Sequence, residues 1–390
     1  WREAGFHPLV SERSPESGLM YRMLTLKREH PQPTEGVLPE QFDFGLDRDQ
    51  MCPRQDEFAD YVAERPLQGM PFGLPGLAPD EHDLLIGWLE DGAPGVDVPP
   101  RPSAEREALA AWEAFLNGED PKTQLMSRYI YEHLFIANLY FGDFEESGWY
   151  RLVRSRTPPG EPIEIIATRR PYDSPGIEPF YYRLQERRTT IVSKRHMPYA
   201  LGSARMARWR ELFLDRDYEV SELPGYGTID DANPFITFEA IPVESRYRFM
   251  LDEAHYTISA YIKGPVCRGQ VALNVIDDHV WVAFVRPNVI DPEQSAAFLA
   301  REARHMRLPQ AKRNLIGTLV QWRGYAQDQK RYLRAEAQAA AAVVDSGRVA
   351  LDLDAIWDGG PERNPDAALT IFRHFDSATV VRGHLGQKPK

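Results

Sequence analysis

Apolar positions along the chain follow two periods, and Pro/Gly clusters separate them. Leu84, Leu85, Trp88 and Leu89 form a helical stripe. Pro79, Asp80 and Glu81 mark the start of that helix, and Gly92 lies past its end. A shorter helix is expected over Asp56–Arg65. Ala104–Leu116 turns Leu109, Trp112 and Phe115 to one side. Thr123–Phe141 does the same with Met126, Tyr129, Ile130, His133, Leu134, Ala137 and Phe141. Ile163–Thr168, Phe180–Leu184, Thr189–Val192 and Ile236–Ile241 are short enough, and bounded by enough turn residues, to predict strands. A helix is expected over Arg246–Lys263, then a hairpin of Gln270–Ile276 with His279–Val285. Pro292 opens a helix over Glu293–His305, and Asn314–Val344 predicts a long helix rich in Ala towards its end.

The stretch from Gly92 through Pro102 cannot sustain an element and reads as a linker. The expected fold class is α+β. A partial all-α segment over residues 1–100 precedes a mixed α+β domain over residues 101–390.

With 390 residues and 43% of them hydrophobic, the chain can bury a full core. The net charge of −12 argues against a nucleic-acid partner. No run of about 18 apolar residues is present to cross a bilayer. Cys52 and Cys267 lie too far apart in sequence to suggest a disulfide framework or a zinc knuckle. The chain opens on Trp1 and closes on the polar Gly386–Lys390 run, and is expected to be a piece of a longer protein. The lack of a targeting segment therefore excludes no compartment.

Charge is unevenly distributed. Arg151–Arg210 holds thirteen Lys or Arg against five Asp or Glu, so the other residues together carry −20. Nearly all of these cations are Arg, which clamps phosphate or carboxylate in a bidentate fork. Tyr172, Tyr181, Tyr182, Tyr199 and Trp209 are interleaved with them. An anionic head-group surface and a set of internal ion pairs both account for this segment.

Motif chemistry is sparse. There is no phosphate-binding Gly loop, no dinucleotide fingerprint, no His-Glu-x-x-His and no nucleophile elbow. Cys267, between Lys263 and Arg268, is either an activated thiol or an inert packed one. His133 reads as a core histidine. His196, among cations, would stay neutral and could bond a ligand. The Gly69–Leu77 loop is stiffened by Pro71 and Pro75 and runs into the Trp88 helix. A Met70 thioether held there suits the axial position of a haem iron, with a packed Met as the alternative. The arrangement resembles the C-terminal half of a small c-type cytochrome domain, although the Cys-x-x-Cys-His attachment motif is absent from the sequence.

Longer runs carry a more specific resemblance. Met126–Phe135, Val153–Gly160, Thr168–Asp173, Asn233–Phe235, Ile241–Leu251 and Ile262–Gln270 resemble the fatty acid cis/trans isomerase family, and the likeness extends from about Trp1 to His384. The resemblance implies a periplasmic haem c protein that converts cis acyl double bonds to trans without ATP or nicotinamide. It also implies a haem-attachment motif upstream of Trp1 and a further C-terminal part. The cofactor expected is haem c with Met70 as axial ligand. The partners expected are phospholipid or free unsaturated fatty acid and a membrane surface, with no nucleic acid. Arg154, Arg156, Arg169 and Arg170 are the expected head-group contacts, with Lys263 and Arg268 second. The catalytic residues remain unassigned. The competing reading is a periplasmic electron-transfer cytochrome with an appended lipid-binding or other binding domain.

Overall fold

The computed structural model describes residues 9–11, 14–33, 42, 53–95, 100–189, 191, 197–226, 233–263, 278–306, 318–347, 350, 352–360, 363–374 and 377–385. The chain divides into two units, Trp1–Pro100 and Arg101–Lys390.

The first unit contains three α-helices among its described residues: α1 (Leu19–Glu29), α2 (Phe58–Glu64) and α3 (Pro79–Glu90). Met23 and Leu26 of α1 pack on Tyr61 of α2, with Leu19, Phe58 and Val62 around them. At the start of α3 the Ala78 N–H donates to the Glu81 carboxylate at 3.1 Å, so one otherwise unpaired amide is satisfied. The long polar residues of α1, Arg22, Lys27 and Arg28, hide its periodicity in the sequence.

The second unit is built on α4 (Ser103–Leu116) and α5 (Pro121–Leu134), which lie against a four-stranded sheet. Asp120 caps α5 by accepting the Thr123 N–H at 2.9 Å. The helix expected over Thr123–Phe141 ends at Leu134, and β1 (Asn138–Phe141) follows. Its apolar residues fit both periods, and alternate burial of Leu139 and Phe141 decides for a strand.

The sheet order is β3–β2–β1–β4, with β2 (Trp149–Ser155), β3 (Tyr181–Arg187) and β4 (Pro198–Leu201). β1 pairs antiparallel with β2 and parallel with β4, so the β2–β3 ribbon is inserted between two neighbouring strands of one sheet. Trp112, Tyr129, Trp209, Phe213 and Phe249 belong to the core beneath it.

Several expectations are corrected beyond this point. Ile163–Thr168 is a loop that meets β2 through an isolated bridge from Ile165 to Ser155 and hydrogen bonds to Arg154 and Ser155, not a strand. The strand expected at Ile236–Ile241 is instead the helix α7 (Pro234–Thr237) and a following turn, because Asn233 caps the Phe235 N–H at 3.1 Å and Pro234 presets the first turn. After β4 comes α6 (Ser203–Trp209), which runs into a π-helical turn at Arg210–Leu214. The helix expected over Arg246–Lys263 is two helices, α8 (Val243–Asp252) and α9 (Ala254–Lys263). Glu253 breaks them apart at φ −139°, and Arg205 binds its carboxylate.

A second sheet joins β5 (Asp278–Ala283), β6 (Ala368–His374) and β7 (Ser377–Arg382) in an antiparallel meander. Leu369 and Val380 pack there on Ala254 of α9. The partner expected for β5, Gln270–Ile276, lies outside the described residues, as do Thr190 and Val192 of the strand expected at Thr189–Val192. Two further helices, α10 (Pro292–Glu302) and α11 (Thr318–Asp345), complete a mixed α+β architecture.

Candidate functional site

The hairpin of β2 and β3 determines where the arginine-rich segment goes. Leu152 faces Leu184 across the pair, and Arg154 faces Tyr182. Arg183, on β3, turns towards α4. Its Nε lies 2.8 Å from Glu113 Oε2, and its Nη groups donate to the carbonyls of Thr157, Pro158 and Glu161. Glu113 Oε1 also accepts the Leu184 N–H at 2.9 Å. One buried ion pair thus ties helix, strand and turn together.

Arg154 is buried as well, at 1% exposure. Its Nη1 donates to the Asp173 carbonyl at 2.8 Å and its Nη2 to Thr168 Oγ1 at 2.7 Å. Its guanidinium lies 5.1 Å from the Tyr131 ring centre. Arg128 of α5 stands nearby: its Nε donates to Glu132 at 2.9 Å, and its Nη1 donates to the carbonyls of Pro224 and Gly225. Tyr226 lies under both guanidinium groups, at 3.9 Å from Arg128 and 5.9 Å from Arg154. Burial pushes the Glu132 carboxyl above the ordinary range, against the pull of Arg128 and Arg154. The same burial raises the phenols of Tyr131 and Tyr182.

Arg154 therefore works as a latch. The loop it holds carries Arg169, which is exposed, and Arg170, which stacks 5.6 Å from the Tyr172 ring centre. Asp173 accepts the Arg170 N–H at 3.0 Å and closes the loop. Arg156 is exposed at the end of β2, and its backbone N–H donates to the Glu164 carbonyl at 2.9 Å. The structure thus gathers Arg154, Arg156, Arg169 and Arg170 around one loop, with Arg156 and Arg169 outermost. Lys263 ends α9, and Arg268, Cys267 and His196 lie outside the described residues.

Other arginines of the segment make internal pairs. Arg208 binds Asp252 and Glu211, and Arg205 binds Glu253. His133 stacks on Tyr129 at 4.1 Å, and its Nδ1 lies 2.7 Å from the Tyr129 carbonyl. Burial lowers its pKa, so it is held neutral within the core.

In the first unit, the Met70 N–H donates to the Met23 carbonyl at 3.0 Å and fixes the loop to α1. Gly69 lies so close to Lys27 that a Cβ would come within 2.5 Å of the Lys27 nitrogen. The Met70 side chain is 47% exposed. Leu74, Leu84 and Trp88 of the same unit are also uncovered, with Leu84 and Trp88 one turn apart on α3.

A haem would need an accessible sulfur and apolar side chains to cover its faces, and this unit supplies both; Met70 fits the group. His82 does not fit as a ligand. Arg28 Nη1 lies 2.9 Å from His82 Nδ1, and a guanidinium only donates. Nδ1 is therefore the acceptor, and Nε2, buried without a partner, carries the proton. No group of three or more His, Cys, Asp or Glu able to hold a metal occurs among the described residues, and no described helix is long and apolar enough to cross a membrane.

The sequence pattern of the family described as fatty acid cis/trans isomerase matches residues 1–390. The chain belongs to the fatty acid cis/trans isomerase family. No curated protein and no solved structure matches it. The sequence singles out Arg154 of this latch but not its neighbours Arg128 and Glu132. Arg128 and Glu132 are four apart on α5, a spacing that also describes any exposed helical ion pair. The signal that distinguishes them is their position within the apolar stripe of Met126, Tyr129 and Ile130.

Proposed function

We propose that the chain converts cis to trans double bonds in the acyl chains of membrane phospholipids, in the periplasm, using a haem c with Met70 as axial ligand. The match of all 390 residues to the fatty acid cis/trans isomerase family carries this reading. Cis-to-trans conversion is downhill for an alkene, so the reaction needs no ATP or nicotinamide. An oxidised haem iron, when bound, supplies an electrophile that draws density out of the double bond.

The protein's own residues bind and orient the lipid. Arg169 and Arg156, outermost on their loop, attract the phosphate of an anionic head group, with Arg170 stacked on Tyr172 behind them. Arg154 contributes from inside, by fixing the loop through Thr168 and Asp173. Leu74, Leu84 and Trp88, uncovered in the same unit as Met70, would shield a bound haem from water.

The test is the trans/cis ratio of extracted fatty acids, measured by gas chromatography after expression of the haem-loaded parent protein in a host that matures c-type haem. A rise in trans acids is expected. An unchanged ratio at full haem loading would leave the competing electron-transfer cytochrome reading, which rests on the Met70 thioether and gives the arginine loop no part.

A further inference from the structure

A second apolar feature lies apart from the arginine loop, between α10 and α11. It is an open groove of about 970 Å³, at the upper end of the ~300–1,000 Å³ usual for small-molecule sites. Along α11 and just past its end, Tyr332, Glu336, Ala339, Ala340, Val343 and Ser346 line it, at spacings of four, seven, eight, eleven and fourteen residues from Tyr332. That is one continuous helical stripe, and its fourteen-residue span is about 21 Å long at ~1.5 Å per residue. A zigzag chain of roughly sixteen carbons with ~1.5 Å bonds reaches about the same length.

Arg301 is the one cation lining the groove among the described residues. Phe298 of α10 meets Tyr332 at 5.9 Å between ring centres, and Arg301 lies 5.5 Å from the Phe298 ring centre. Arg301 pairs with Glu302, but its side chain is 61% exposed. Such a surface pair is weak, so the guanidinium can take a second anion. The Tyr332 hydroxyl donates to Glu336 at 3.3 Å, which engages one of the acidic side chains lining the groove. Away from Arg301 the aliphatic Val289, Ile290, Ala339, Ala342 and Val343 line it together with the polar Asn288, Asp291, Gln294 and Ser295. Small alanine side chains leave the width that a hydrocarbon chain fills.

We propose that this groove is the seat of a long-chain fatty acid, with its carboxylate at Arg301 and its tail along the alanine stripe of α11. The choice of a fatty acyl occupant rests on the isomerase reading above. The location follows from the groove's length, the aliphatic residues along it and its one arginine.

The test uses the full chain and palmitate, a saturated acid that cannot be isomerised, so binding is read without turnover. Isothermal titration should show palmitate binding to the native chain. Ala339→Trp should weaken it at least tenfold, and Arg301→Glu at least threefold, with unchanged circular dichroism spectra in both variants. Ala340→Leu offers a milder obstruction should the Trp variant lose its fold, and it should weaken binding by a smaller factor. Palmitate affinity unchanged in folded groove variants, or no binding by the native chain, overturns the proposal. So does a variant that alters self-association by sedimentation while leaving palmitate affinity intact, since the groove would then be a contact between copies. The trans/cis ratio measured on the haem-loaded parent stays a separate readout, so either reading can fail without the other.

Discussion

Arg183 Nε stands 2.8 Å from Glu113 Oε2, and both side chains are almost wholly buried, at 6% and 3% exposure. Removing one partner of such a pair strands the other charge away from water, which costs about 3–5 kcal/mol. Glu113→Ala is therefore expected to lower the thermal midpoint of the second unit by ~10 °C. The double variant Glu113→Leu, Arg183→Met should recover much of the loss, as followed by circular dichroism. A double variant as unstable as the single one would mean that the carbonyl contacts of Arg183 matter more than the pair.

Arg154→Met should separate latching from charge. It leaves Thr168 Oγ1 and the Asp173 carbonyl without their charged donor, at about 1.5–3 kcal/mol for each bond lost. The 166–175 loop should then become susceptible to limited proteolysis. Arg169→Glu should leave stability within ~0.5 kcal/mol, as is usual for an exposed side chain. It should instead reduce binding to anionic vesicles at low salt, with the difference shrinking as salt rises. Equal vesicle binding by Arg169→Glu and the native chain would remove that arginine from the lipid surface.

His133 gives stability a pH dependence of known sign. Its folded pKa is depressed below 6.5 by burial, so the native state disfavours the imidazolium. The unfolded chain takes up the proton first, and stability present above pH 6.5 is lost as the pH falls through the folded value. Denaturant midpoints measured from pH 7.5 down to 5 should decline, and His133→Phe should flatten part of that decline. A parallel decline in the variant would place the effect in other groups.

Met70→Ala in the haem-loaded parent should abolish any far-red thioether-to-iron absorption band. Gly69→Ala should weaken the same band, because its Cβ would meet the Lys27 backbone at 2.5 Å and push the loop off α1. A band unaffected by both substitutions would exclude Met70 from the iron.

How much of this was legible in the sequence depends on how each residue is used. α4 was readable because the burial of Trp112 and Phe115 agrees with their local spacing, whereas α3 was readable from its ends alone, since Leu84 and Trp88 of the stripe expected to be buried are exposed. β2 was not, since Arg151 and Arg154 interrupt its apolar run and Arg154 is buried through long-range bonds to Thr168 and Asp173. Nor was the switch at Leu134 visible: Ala137 and Phe141 extend a helical period that the pairing of β1 with β4 overrides. At the candidate site, arginine content singled out the segment that holds this loop. Composition could not say that Arg154 faces inward while Arg169 faces out.

The parallel pairing of β1 with β4 has a consequence for the arginine loop. The β2–β3 ribbon that carries the loop lies between them in sequence and adds to the sheet on the far side of β1, with β2 paired to β1 and β3 paired to β2. A cut at the exposed turn around Pro159 and Gly160 would sever the chain without releasing either half. β2 would stay held by β1, and β3 by β2 and by the Arg183–Glu113 pair. The protein could thus be expressed as two polypeptides split at that turn and reassembled by its own sheet.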